Sequence, residues 1–456
     1  MLEKLFKLKQ HNTTAKTEIV AGITTFMTMA YILAVNPDLL AAAGMDKNGV
    51  FVATCLASFI GTMCMAIFSN YPFALAPGMG LNAFFAFSVC GIMGYPWQVA
   101  LAAVFVEGII FIVLSLFNVR EIIFNAIPTS LKRAVSVGIG LFIAFIGMQN
   151  SKIVVSNAAT KVSFFSLEAV PGATFNDAGI AMILAVLGVL ITAILVIKNV
   201  KGNILIGILA TWGIGILLQV AGVYVPNPEA GYFDLLPNFA GGLAFSGFPK
   251  VFGHLDFSKV FTVEFIVIVF SFLFVDLFDT LGTLIGVSNK ANMLDKDGKL
   301  PKIKGALMAD AVATTAGAVL GTSTTTTFVE SAAGVTEGGR TGLTSATTAI
   351  LFGLALFISP IFLAIPSFAT APALIVVGFY MLNEVGSIDF KDFASGIPAF
   401  ICIIAMPFCY SISEGIAMGV ISFVVLHLFG GKDKRKEVSI VMYILAILFV
   451  LKYVFV

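Results

Sequence analysis

Charge is what this chain has least of. Of 456 residues, 11% are Asp, Glu, Lys or Arg, where a soluble domain carries about 25%. So little charge cannot solvate a surface while 59% of the residues are hydrophobic. A freely soluble globular protein is therefore excluded. The net charge of +1 excludes the basic face that a nucleic-acid partner needs. Histidine is scarce: His11 and His254 read as loop residues and His427 lies near the end of an apolar run. None reads as a metal ligand or catalytic base. The five cysteines (Cys55, Cys64, Cys90, Cys402 and Cys409) all sit in apolar runs without a CxxC. They make neither a disulfide framework nor a metal site and read as packing residues. Nothing calls for a cofactor. The N-terminal MLEKLFKLKQ lacks the apolar stretch and small-residue cleavage site of a signal peptide. It reads as a cytoplasmic interfacial segment.

What the chain has is apolar stretches near 20 residues, each long enough for a bilayer core of roughly 30 Å. They read as 17–37, 49–69, 73–92, 96–117, 130–149, 178–198 and 202–222, then a proline-bearing polar stretch at 223–260. A second set follows at 261–287, 303–320, 324–340, 342–362, 369–386, 396–411 and 413–430. A last apolar run, 437–455, either crosses once more or lies against the bundle. The expectation is an all-α polytopic membrane protein of about fourteen spans, in a lipid bilayer. Basic residues orient it. With the N-terminus inside, Lys132 and Arg133 follow the fourth span and Lys198 and Lys201 the sixth. The cluster from Lys290 to Lys304 follows the eighth, Arg340 the tenth, Lys391 the twelfth and Lys432 to Lys436 the fourteenth. Every strong cluster then lies on the cytoplasmic side, as the positive-inside rule requires.

The two halves echo one another. FNAIPTSLKRAVSVG (124–138) resembles FLAIPSFATAPALIVVG (362–378), and NILIGILA (203–210) resembles GIAMGVIS (415–422). In order, these suggest a seven-plus-seven duplication. An odd number of spans inverts the second copy, which points to a secondary transporter with its site near the midplane.

Two stretches carry polar groups to membrane depth. GTSTTTTFVESAAG (321–334) sets β-branched residues before Glu330, and FALAPGMGLNAFF (73–85) interrupts the third span with Pro77, Gly78 and Gly80. Both favour short extended backbone followed by a half-helix. Such backbone survives at depth only when buried or lining a cavity. Asn82 and Glu330 are expected near the half-helix N-termini, where free N–H groups and the positive dipole end lie. In FLFVDLFDTLGTLIG (272–286), Asp276, Asp279, Thr280 and Thr283 share one helical face. An acid at that depth should face the interior or a wet cavity. Glu107 and Asp310 rank lower, as partners for helix ends or hydroxyls. Glu337 and Arg340 are expected to pair near the cytoplasmic end. Phe328 is the aromatic best placed to stack on a flat ligand, with core packing as its alternative.

APGMGLNAFFAF (76–87), FVDLFDTLGTLIG (274–286), GTSTTTTFVESAAGVTEGGRTGL (321–343) and TTFMTMAYILAVNP (24–37) resemble the AzgA-like purine permeases. These belong to the nucleobase–cation symporter group that includes uracil and xanthine permeases. The resemblance runs nearly end to end. It implies a core domain of spans one to four and eight to eleven, and a gate of spans five to seven and twelve to fourteen. In residues, that is a cytoplasmic N-terminal segment at 1–16, core 17–117, gate 118–222, an extracellular connector 223–260, core 261–362, gate 363–430 and a C-terminal segment 431–456. It implies that Asp276 and Glu330 bind a purine nucleobase, assisted by Asn82 and the backbone at Gly80. Phe328 stands where uracil-type relatives place an aromatic, and Asp279 would serve transport or coupling. Those relatives typically carry a glutamate and a nearby histidine on the eighth span. This chain has aspartate and no histidine there, so their proton relay does not carry over. The final run 437–455 exceeds the fourteen-span pattern. A homodimer is an expectation from related permeases.

A carboxylate accepts adjacent N–H donors of a purine, and Asn82 with half-helix amides suits the acceptor edge. Several acids near the midplane do not all ionise readily, so a proton held among Asp276, Asp279 and Glu330 is the expected coupling ion, with sodium as runner-up. The expected protein is a proton-coupled purine importer of the cell membrane, not an enzyme. An anion transporter of the same architecture would want a positively biased site. An intramembrane aspartyl protease would leave the repeat and the broken third span without a purpose.

Overall fold

In the computed structural model, residues 2–117, 126–237, 242–290, 293 and 300–455 are described. Lys296 and Lys299, expected in the cluster after the eighth span, lie outside them. Among the described residues, eleven helices are long and apolar enough to cross a bilayer, from Ala15–Ala41 to Ile412–Phe429. The shorter apolar helices Met79–Ile92 and Phe393–Phe408 stand at the third and thirteenth spans. The chain is thus mostly helical and polytopic, as its hydropathy requires.

The tenth span departs from a simple helix. It is a strand, Thr325–Thr327, followed by a helix of six residues, Ser331–Thr336. At 1.5 Å per residue that helix covers about 9 Å, a fraction of the bilayer. The third span repeats the pattern: strand Leu75–Pro77, helix Met79–Ala83, then a π-helix Phe84–Ile92. In chain order the strands are β1 (Leu75–Pro77), β2 (Val154–Asn157), β3 (Lys161–Phe164) and β4 (Thr325–Thr327). β2 and β3 form a hairpin beyond the fifth span.

β1 and β4 pair antiparallel in the register Leu75↔Thr327, Ala76↔Thr326 and Pro77↔Thr325. Two more backbone bonds extend the ladder: Gly78 N to Thr324 O at 3.0 Å and Phe328 N to Ala74 O at 2.9 Å. All six strand residues are buried. The ladder therefore supplies bonding partners that neither segment has within itself, which is what lets extended backbone persist inside the bundle. Because the pairing is antiparallel, the two following half-helices begin at opposite ends of the ladder.

The first span is broken as well. Ala15–Met29 and Ile32–Ala41 are separate helices joined through Ala30 and Tyr31. Pro37 cannot donate to the carbonyl four residues back and crowds that turn. The backbone responds with tighter bonds, Leu33 N to Ala30 O and Ala34 N to Tyr31 O, both 3.1 Å.

Helices pack in two sets. Ile303–Leu320 lies on Trp97–Leu116 and Lys47–Phe68, and Gly342–Ala355 on Lys47–Phe68 and Ala15–Met29. Separately, Thr129–Asn150 lies on Ser367–Leu382 and Phe393–Phe408, and the latter on Ile412–Phe429. The last apolar run forms the helix Ile440–Phe455. It turns back along Ile412–Phe429: Glu437, just before it, meets His427 at 3.5 Å, and Tyr453 near its end bonds to Glu414.

Candidate functional site

The site is built around the β1–β4 crossing, and every neighbouring span contributes to holding it. Asn36 of the first span donates its amide to Thr54 Oγ1 at 2.8 Å and Thr322 Oγ1 at 2.9 Å. Thr62 accepts the Leu75 amide at 2.9 Å and donates to the Leu75 carbonyl at 3.0 Å. Thr324 donates to Glu107 Oε2 at 2.7 Å, and Thr314 to the Thr325 carbonyl at 3.0 Å. Within the threonine run, the Thr324 and Thr326 hydroxyls bond outward to flanking helices while the backbone pairs in the ladder. Glu107 and Asn36 are buried and bond to these hydroxyls.

One hydroxyl joins three helical and strand elements. Thr280 Oγ1 lies 3.0 Å from Asp276 Oδ1, 2.6 Å from Asp310 Oδ1 and 2.7 Å from Thr326 Oγ1. All four side chains are buried. The shared helical face read from the sequence is therefore real for Asp276 and Thr280, and its partner is Asp310 of the ninth span. A hydroxyl has one proton to donate. It can satisfy only one of the two carboxylates as a donor.

Asp279 and Glu330 occupy different ground. Asp279 is half-buried, and its Oδ2 stands 3.3 Å from where a Cβ on Gly78 would be. That same Cβ would meet Thr326 Cγ2 at 2.5 Å, so the crossing closes only over a glycine. Glu330 stands at the N-terminus of Ser331–Thr336 without capping it through its side chain, and is half-buried beside an exposed Val329. Asp279, Asp310 and Glu330 lie close enough for the charges of the latter two to act on Asp279. Tyr31, at the break in the first span, donates its phenol to Glu330 Oε1 at 2.6 Å.

The other expected residues serve the scaffold in this conformation. Asn82 is buried; its Oδ1 accepts from Ser323 Oγ and its amide reaches the Pro77 carbonyl at 3.4 Å. Gly80 faces the second helical set, where a Cβ would lie 2.8 Å from Ile139 Cγ2. Phe328 is 6% exposed and packed in the core. The structure thus gathers Asp276 with Asp310, brings Asp279 within range of both Asp310 and Glu330, and seats Asn82 behind the ladder. The expected Glu337–Arg340 pair does not form. A turn at Gly338, with φ of 100°, separates them, so Glu337 pairs with Lys201 and Arg340 Nη1 donates to the Val335 and Gly339 carbonyls at 2.7 Å.

Sequence reasoning passed over Tyr31, Asn36 and Glu18. Each is a polar group inside the first apolar run, a place where a buried donor or acceptor must find a partner. Glu18 is fully buried and accepts the Arg340 amide at 2.9 Å, the Thr341 amide at 3.2 Å and the Thr344 hydroxyl at 2.6 Å. It ties the first span to the end of the tenth.

Comparison with known proteins places this geometry. The family model described as Permease family (Xan_ur_permease) matches residues 16–418. The chain is 41% identical to the adenine permease AdeP of Escherichia coli K12 over 459 aligned residues, covering all of this chain and 96% of that protein. It is 42% identical to the guanine/hypoxanthine permease PbuO of Bacillus subtilis 168, covering 98% of each. Among solved structures, the transmembrane domain of the cyanobacterial bicarbonate transporter BicA superposes with a TM-score of 0.61 at 14% identity, covering 89% of this chain and 97% of that one. That last likeness is one of fold.

Proposed function

Since the chain belongs to the Xan_ur_permease family of permeases, and is accordingly a multi-pass membrane transporter and not an enzyme, we propose that it imports purine nucleobases across the cell membrane by proton symport. The relatives named adenine and guanine/hypoxanthine permeases support the substrate class. The positive-inside pattern of its basic residues supports a cytoplasmic N-terminus.

The observation that carries the mechanism is the Thr280 cluster. Thr280 Oγ1 stands 3.0 Å from Asp276 Oδ1, 2.6 Å from Asp310 Oδ1 and 2.7 Å from Thr326 Oγ1, so two buried carboxylates share one hydroxyl. Two carboxylates so close to one another favour keeping a proton between them, on Asp276 or on Asp310. We assign the coupling proton to this pair, between two spans, at the root of the strand that ends three residues before Glu330. Purine N–H groups bind Glu330, with Asp279 beside it and half-helix amides toward the ring acceptors. Asp276 joins the ligand set as the cluster rearranges around the bound base. The set of helices around the crossing then moves as a core against the Thr129–Asn150 and Ser367–Leu382 set as a gate, with Gly80 allowing the close contact between them.

Radiolabelled hypoxanthine binding to purified protein, competed by guanine, adenine, xanthine and uracil, tests the site. Glu330→Gln and Asp276→Asn should each abolish binding; retained affinity in both removes the assignment. Uptake into proteoliposomes under an imposed pH gradient, with and without sodium, tests the ion. Indifference to the pH gradient defeats proton coupling, and strict dependence on sodium assigns the oxygen cluster to that cation instead.

A further inference from the structure

A cavity of about 690 Å³ opens at the end of the bundle that carries the N-terminal segment, away from the carboxylates of the crossing. Its size is within the roughly 300–1,000 Å³ of small-molecule sites. Three basic side chains from three separate segments converge on it: His11 before the first span, Lys302 between the eighth and ninth, and Arg340 after the tenth. No Asp or Glu lines it among the described residues. Thr14 and Thr17 contribute hydroxyls where the 15-residue helix Ala15–Met29 begins.

Arg340 and Asn70 are held in place. The Arg340 amide bonds to Glu18 Oε1 at 2.9 Å, and one of its guanidinium nitrogens is held by two backbone carbonyls at 2.7 Å. Glu18 accepts from backbone amides and the Thr344 hydroxyl rather than from the guanidinium. Among the described residues, no ion pair joins an acid to His11, Lys302 or Arg340. Asn70 accepts the Gly342 amide at 2.9 Å and donates to the Phe6 carbonyl at 3.1 Å, closing the wall opposite. Lys302 and Asn70 hold left-handed backbone, with φ of 58° and 59°. Side chains other than glycine keep that conformation only where the surroundings impose it.

A concave surface with positive charge and no lining acid among the described residues attracts anions. A guanidinium, an ammonium and hydroxyls together suit the tetrahedral oxygens of phosphate. We propose that this cavity binds a phosphate monoester at a site separate from the purine site. The monoester is either the phosphate of a small metabolite, such as the nucleotide made when an imported base is joined to a phosphorylated ribose, or a lipid headgroup. The position gives the site its consequence. Ser69 to Tyr71 lead directly into β1, with Ser345 bonding the Tyr71 and Phe73 carbonyls at 2.6 and 2.8 Å. Arg340 follows the half-helix that begins at Glu330. A ligand here clamps the ends of both interrupted spans and holds one conformation of the crossing.

The test uses the full chain, without purine. Thermal unfolding is measured in detergent with GMP, inorganic phosphate, or potassium chloride at matched ionic strength. It is repeated in phosphatidylcholine nanodiscs with and without phosphatidic acid. The expected result is stabilisation beyond the chloride control by at least one phosphate probe. Lys302→Gln and His11→Gln should each weaken the apparent affinity by about tenfold, equivalent to about 1.4 kcal/mol, with hypoxanthine binding unchanged. Arg340→Gln also loosens a backbone turn, so the other two variants decide the outcome. Stabilisation by GMP or phosphate in lipid lacking phosphatidic acid identifies the soluble source; stabilisation by phosphatidic acid only identifies the lipid. No stabilisation by any probe, or equal stabilisation of wild type and both variants, overturns the proposal.

Discussion

At the scale of single residues, the weight rests on short polar contacts among buried and half-buried side chains. The Tyr31–Glu330 bond at 2.6 Å joins a neutral donor to a carboxylate, a class worth about 1.5–3 kcal/mol. Tyr31→Phe keeps the ring and removes the bond. Equilibrium binding of labelled hypoxanthine should weaken by about tenfold or more, while the unliganded protein remains monodisperse. Thr280→Val acts differently. It removes the hydroxyl shared by Asp276, Asp310 and Thr326 and leaves three buried polar groups without it. Unfolding temperature should drop, and uptake should lose its response to an imposed pH gradient. Thr280→Ser restores the hydroxyl and should recover both readouts, which a mere packing role for the methyl group would not predict.

At the scale of elements, the two half-spans are interdependent. Neither three-residue strand has internal bonding partners, so each persists because the other is there. Gly78 lies where a Cβ would come within 2.5 Å of Thr326, a separation that demands a backbone shift. Gly78→Ala should therefore spread the ladder and lower the unfolding temperature, and it should reduce purine binding even though it removes no polar group. Overpacking of this kind costs about 1–3 kcal/mol. Equal stability and affinity in wild type and Gly78→Ala would mean that the crossing is looser than the structure shows.

At the scale of the whole molecule, the final helix decides where the chain ends. Ile440–Phe455 starts beside His427 at one end of Ile412–Phe429 and finishes with Tyr453 on Glu414 at the other. It also reaches the eighth span, where Phe449 meets Phe270 and Phe274 at ring separations of 5.6 and 6.3 Å. The run that hydropathy left undecided thus lies antiparallel along Ile412–Phe429. We propose that this helix crosses the membrane from a cytoplasmic basic segment at 432–436: a C-terminal epitope tag should then be reached by antibody in intact cells, and detection only after permeabilisation would reject this path. Outside the spans, Lys434 bonds to Asp392 at 2.9 Å and, with Ser395, holds the Asp392 carboxyl below its ordinary range. A carboxyl lowered by folding stabilises the fold above its unfolded-state value and loses that contribution as pH falls through its folded-state value. The wild type should therefore exceed Asp392→Asn in unfolding temperature near neutral pH, with the gap closing under acid.

The sequence by itself determined the class of this protein, because hydropathy and charge placement depend on composition within a window, and a bilayer reads both directly. Span positions and the interruptions at Pro77–Gly80 and Thr322–Thr327 were legible in that way. What only the tertiary structure decided is which groups meet. Thr280 joins Asp310 across 30 positions, Glu107 meets Thr324 across 217, and Tyr31 meets Glu330 across 299. Spacing along a helix tells which side chains share a face, as it did for Asp276 and Thr280, but not what that face is turned toward. The turn at Gly338 made the same point in reverse, parting Glu337 from Arg340 although they are close in the chain. A buried polar side chain must be satisfied, and the chain alone states the need; the packing of helices distant in sequence supplies the partner.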